Sequence, residues 1–209
     1  MKALLFKDFL VLKKSLLLLA LLVVAIGIFS YYQGAILILP LIFMLIPVIL
    51  LGLLFSYDTK SDADQYMSSD PINRRTIVLS RYVFVWIIAI VGTLFALLLK
   101  LIMKDALSDI PWFLIVPAML LLVTFLSSIQ LPLIYKFGAE EVKGIFVFIY
   151  FVVFALFFYL GGNEDLFSEF LDNLTHLNLR IVSLVLAGIT ILLNGVSLVI
   201  SSAIYERGV

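Results

Sequence analysis

SLLLLALLVVAIGIFSYYQGAILILPLIFMLIPVILLGLLFSY occupies residues 15–57 and carries no charged side chain over its 43 positions. One helix crosses a hydrocarbon layer of ~30 Å with roughly 20 residues, so this run predicts two crossings. The break falls at SYYQG, residues 30–34, where two tyrosines suited to a membrane interface meet an amide and a glycine. Outward from there, uncharged apolar stretches recur down the chain. They give six predicted spans, near residues 15–31, 35–56, 82–99, 111–135, 144–161 and 181–204.

Composition agrees. Of 209 residues, 64% are hydrophobic and 13% charged, where a soluble domain has about a quarter charged. Mean hydropathy is +1.23. The expected fold class is all-α, a polytopic membrane protein, with residues 1–209 as a single transmembrane domain. Membrane barrels alternate apolar and polar residues, and this chain does not. Zero cysteines exclude disulfides, thiol catalysis and thiolate metal sites. The first apolar run is longer than a signal-peptide core and lacks a small-x-small cleavage site, so it reads as a retained first span.

Charge placement predicts the orientation. With six spans, Lys2, Lys7, Lys13, Lys14, Lys60, Arg74, Arg75, Arg81, Lys136, Lys143 and Arg207 share one side. Lys100, Lys104 and Arg180 share the other. Eleven basic residues against three make the first side cytoplasmic, termini included. A single span over residues 15–57 would split the two largest basic clusters across the bilayer.

Residues 57–81, YDTKSDADQYMSSDPINRRTIVLSR, then form a charged cytoplasmic loop between spans two and three. Ser61-Asp62-Ala63-Asp64 fits a helix capping box, leading into Gln65, Tyr66 and Met67. Pro71 ends that short helix, and Asn73 caps a restart carrying Arg74 and Arg75 into span three. On physics alone, the loop is either a set of basic anchors for anionic lipid or a docking element for a cytoplasmic partner.

On the outer side, residues 162–180 place Leu166, Phe167, Phe170, Leu171, Leu174 and Leu177 on one helical face. That segment is a lid over an exit or an interfacial packing helix. Polar residues inside the spans are sparse, and Gln130 and Asn194 are expected to bond neighbouring helices. No acid or base is expected well within a span, which argues against a proton-coupled pump. The lone histidine, His176, has too few partners for a metal site. No catalytic constellation and no phosphate-binding G-x-x-x-x-G-K-[ST] loop occurs, so ATP-driven work must fall to another polypeptide.

Four pieces of the chain resemble the small six-span permeases of type-2 ABC exporters (the ABC-2 superfamily), such as those of phenol-soluble modulin exporters. MKALLFKDFLVLKKS resembles their basic opening, and the loop at residues 57–82 with its P-I-N-R restart resembles their coupling loop. LPLIYKFGAEEVKG resembles their second cytoplasmic loop, and a polar segment stands between spans five and six. The resemblance implies that Ser61, Asp62, Ala63, Asp64, Gln65, Tyr66 and Met67 form a coupling helix against a separate ATP-binding subunit. It implies a second contact at Lys136, Glu140 and Glu141. The outer lid would use Leu166, Phe167, Phe170, Leu171 and Leu174. Two ATP-binding subunits, holding ATP and magnesium, would serve two permease chains, identical to one another, in a bacterial plasma membrane. No cofactor is expected in this chain, and no nucleic acid as partner. Apolar spans favour amphipathic cargo, with peptides such as toxins or bacteriocins the specific expectation and drugs or lipids the alternatives. A non-transporting immunity or sensor protein is the competing class.

Overall fold

The computed structural model describes residues 2–33, 38–60, 74–102, 111–161 and 178–207. Six helices lie among the described residues: α1 (Lys2–Gln33), α2 (Ile38–Lys60), α3 (Arg74–Ile102), α4 (Trp112–Phe137), α5 (Ala139–Gly161) and α6 (Leu179–Arg207). Helix is the physical requirement here, because hydrocarbon offers no partner to an open N–H or C=O and a helix satisfies them internally. Five of the helices hold segments long and apolar enough to cross a membrane: Leu4–Phe29, Ile42–Thr59, Arg74–Leu98, Trp112–Phe137 and Leu179–Arg207. Span five of the sequence reading coincides with α5, which runs uncharged from Gly144 onward.

The helices overrun the predicted spans. The basic opening and span one are one continuous helix of 32 residues, about 48 Å long at 1.5 Å per residue. Helix α3 starts at Arg74, eight residues ahead of the predicted span, as the capped restart requires. Residues 136–143, expected as a loop, are helical on both sides of one residue. Helix α4 ends at Phe137, α5 begins at Ala139, and Gly138 between them has φ +87°. At ψ 159° this is backbone that in practice only glycine adopts. Its N–H donates to the Ile134 carbonyl at 2.8 Å and closes α4. Glu140 and Glu141 then sit in the first turn of α5, where the helix dipole favours acids, so a polar stretch reads as helix rather than loop.

The core forms where α2, α3 and α4 meet. Leu50, Leu51, Leu54, Val78, Phe84, Val85, Val123 and Leu131 are enclosed there, with Leu12 of α1. Of the Ile42–Thr59 segment 56% is buried, against 11% of Leu4–Phe29, so α2 is central and α1 peripheral.

Helices α4 and α6 make the most extensive pair, and two prolines set its register. Pro132 has no N–H, so the carbonyl four residues back, on Ser128, loses its helical partner. Ser197 Oγ of α6 donates to that carbonyl at 2.5 Å. Pro117 likewise frees the Phe113 carbonyl, and Ser183 Oγ of α6 donates to it at 2.7 Å. Between these stitches, Asn194 Nδ2 donates to Thr124 Oγ1 at 3.0 Å and to its own helix at Thr190 O. Ser197 gives its proton to Ser128, so the Tyr82 hydroxyl of α3, 2.5 Å away, donates to Ser197 and accepts from Ser201 at 2.9 Å. Gln130 Nε2 donates to the Val48 carbonyl of α2 at 3.1 Å. Gln130 and Asn194 thus bond neighbouring helices, as expected. Within lipid, such bonds and close packing supply what apolar transfer does not.

Candidate functional site

One end of the bundle gathers the first turns of α1, the last turns of α2 and α6, the start of α3 and the Gly138 turn. At its centre lies a buried ionic network. The Arg81 guanidinium of α3 forms an ion pair with Asp8 Oδ2 of α1 through one terminal nitrogen at 2.6 Å, and its other terminal nitrogen donates to Asp58 Oδ2 of α2. Lys7 Nζ of α1 closes the set on Asp58 Oδ1 at 2.6 Å. Two cations meet two carboxylates, so the network is neutral. Arginine suits the role because its planar fork reaches two carboxylates at once. The ring of Phe55 lies 5.3 Å from the guanidinium carbon. Asp58 sits near the carboxyl end of α2, where the helix dipole disfavours an acid, and the two cations offset that field. The side chains of Arg81, Asp8 and Asp58 are at most 3% exposed, while Lys7 is 34% exposed.

A second set of contacts ties α3 to α6 at the surface. Arg74 donates to the Tyr205 and Glu206 carbonyls at 3.4 and 3.1 Å, capping the end of α6. Arg75 Nε donates to Glu206 Oε1 at 2.5 Å. Beside them, Phe55, Thr59, Ile77, Arg81, Tyr135 and Tyr205 line a cavity of about 180 Å³ together with the Gly138 turn. Ser56 Oγ of α2 lies 3.4 Å from Glu140 Oε1, which also accepts from Lys143 at 2.7 Å.

These contacts hold the described flanks of the segment that sequence reasoning singled out. The predicted coupling helix, residues 61–67, lies outside the described residues, as do the predicted lid residues 166–174. Both flanks of residues 61–73 are described. The leading flank, α2, is held at Asp58; the trailing flank, α3, is held at Arg74, Arg75 and Arg81. The predicted second contact is described too. Lys136, Glu140 and Glu141 are exposed around Gly138, with Lys136 Nζ over the Phe137 ring at 5.0 Å. The Ser56–Glu140 contact sets this turn beside the end of α2.

Sequence reasoning missed the network. It set Asp8 and Arg81 just outside spans one and three and gave neither a partner, yet both are buried and paired with each other. The available signal was Asp8 itself, the one acid in an opening that otherwise carries Lys2, Lys7, Lys13 and Lys14 among apolar residues.

Six helices among the described residues, five of them with segments long and apolar enough to cross a membrane, are consistent with a polytopic membrane protein. The chain matches the family described as ABC-2 family transporter protein over residues 3–206, and it belongs to that family. It is a multi-pass permease subunit of an ABC exporter, the transmembrane part rather than the ATPase, and its partner is an ABC ATP-binding subunit. Comparison with curated proteins gave no match, and neither did comparison with solved structures.

Proposed function

We propose that the charged end of the bundle faces the cytoplasm and that residues 61–67 are the coupling helix gripped by the ATP-binding subunit. Asp62, Asp64, Gln65 and Tyr66 make the main contacts, with Lys136, Glu140 and Glu141 as a second contact. The observation that carries this reading is the clamping of both flanks of residues 61–73 by ion pairs at the basic end of the bundle. A segment that receives force from a motor needs fixed ends, or the force dissipates in the loop. The Ser56–Glu140 contact supports the second docking point by setting the Gly138 turn alongside.

Two copies of the permease, identical to one another, form the path between them, with two ATP-binding subunits that hold ATP and magnesium. The cargo is amphipathic and peptide-like, moved outward across a bacterial plasma membrane, because the described helices present apolar and aromatic surface. Leu166, Phe167, Phe170, Leu171 and Leu174 cover the outer mouth. Co-purification with the cognate ATP-binding subunit tests the core of this reading. The complex should hydrolyse ATP, and scrambling residues 62–66 should abolish nucleotide-driven coupling. A scrambled variant that binds the subunit and hydrolyses ATP as wild type does would reject the assignment.

A further inference from the structure

Most titratable groups at the charged end are surface pairs, but the Asp8–Arg81–Asp58–Lys7 network is not. It joins three helices through one guanidinium, and it is buried. The three helices differ greatly in how they are otherwise held. Helix α2 is embedded in the core, α3 packs on α2, α4 and α6, and α1 is peripheral. Along most of its length α1 presents Leu17, Leu18, Leu21, Val24 and Ile28 outward. The ionic bonds at Lys7 and Asp8 therefore form its directional attachment to the flanks of residues 61–73. Apolar contacts also seat α1, with Leu12 enclosed and the Phe9 ring 5.2 Å from that of Phe84 in α3. The charge pairs add register, because an apolar helix offers Asp8 and Lys7 no equivalent partner one turn higher or lower.

We infer that Arg81 is the positioning residue that makes the first turns of α1, the end of α2 and the start of α3 move as one body, so that displacement at residues 61–73 is delivered to α1. This rests on the proposed coupling role of that segment. A buried ionic group is a poor stability device, since apolar residues of similar volume often replace it without loss. The value of the network lies in register, and that separates it from a merely structural role.

The chain has no cysteine, so spin labels go only where a cysteine is introduced in it, and the ATP-binding subunit is used in a cysteine-free form that retains ATPase activity. Label pairs at Leu10 and Ile90 report α1 against α3, and pairs at Leu10 and Leu192 report α1 against α6; all three positions are exposed. The measurement uses the full complex with its ATP-binding subunit, with and without ATP plus vanadate. In wild type the α1–α6 distance should shift with nucleotide and the α1–α3 distance should not. In the apolar triple variant Asp8→Leu, Asp58→Leu, Arg81→Met, the α1–α3 distribution should shift and broaden with nucleotide. Asp58→Asn keeps volume and one acceptor, and covers the case in which the triple variant does not assemble; it should broaden the same distribution. Asp58→Glu should restore the wild-type pattern. A wild-type α1–α3 distance that moves with nucleotide overturns the inference, and so does one that stays fixed in the assembled variants. An α1–α6 distance that ignores nucleotide in wild type, or a wild-type chain that forms no complex, instead defeats the proposed function, and the inference falls with it.

Discussion

Two regions stitch this bundle, and they use different chemistry. At the charged end, α1, α2 and α3 are joined by a buried network of full charges around Arg81. Along the seam between α4 and α6, neutral hydroxyls and an amide do the joining, and two of the bonds repair carbonyls that Pro117 and Pro132 leave open. The seam satisfies groups that would be orphaned in any case. The network creates its own obligation, because every charge in it depends on the others. Removing one member should therefore hurt far more at the charged end than in the seam.

The sharpest break in this comparison is Arg81→Met alone. It strands Asp8 and leaves Asp58 with Lys7 alone, and stability should fall by about 3–5 kcal/mol. The readout is thermal unfolding in detergent or nanodiscs. The apolar triple variant should recover most of that loss, and a triple variant as unstable as the single one would contradict the claim of mutual dependence. Next comes Gly138→Ala. A Cβ there meets nothing within 4 Å, so the cost is purely backbone, about 1–3 kcal/mol. A neutral result would mean that φ at this position is not +87° in the membrane.

The seam itself is tested by Ser197→Ala, which leaves the Ser128 carbonyl open at about 1–2 kcal/mol. Pro132→Ala restores the missing N–H, so in that background Ser197→Ala should cost less, to the extent that Tyr82 finds Ser201 sufficient. A double-mutant cycle reads the difference, and strict additivity of the two changes would remove the proline from the explanation. The smallest effect is expected from Arg75→Ala. Its pair with Glu206 is exposed, at 71% and 38%, and such pairs contribute little and fade with salt. A loss as large as that at Arg81 would erase the distinction between the two kinds of pair.

The sequence exposed the helices and the seam better than the charged end. A 43-residue uncharged run leaves no alternative to paired crossings, and Gln130 and Asn194 in apolar surroundings announce that a neighbouring helix must satisfy them. The start of α3 at Arg74 also followed from a local signal, the capped restart after Pro71. Asp8, Asp58 and Arg81 were not legible in the same way. They are separated by 50 and 23 positions along the chain, and summing charge by side treats each as a surface group. Only the fold brings them together. The helical state of residues 139–143, just past the Gly138 turn, was missed for a local reason: polar residues in a first helical turn look like a loop unless the dipole that favours them is considered.

That single-residue joint has a mechanical consequence. Helices α4 and α5 share a fixed corner at Gly138, so neither can slide along the other, and any relative movement must be a swing about two backbone torsions. Helix α5 has 23 residues, about 35 Å of rigid rod, so a swing of roughly 10° carries its far tip through about 6 Å. A push too slight to open anything at the clamped end becomes, at the opposite membrane face, a displacement wider than a helix turn is tall.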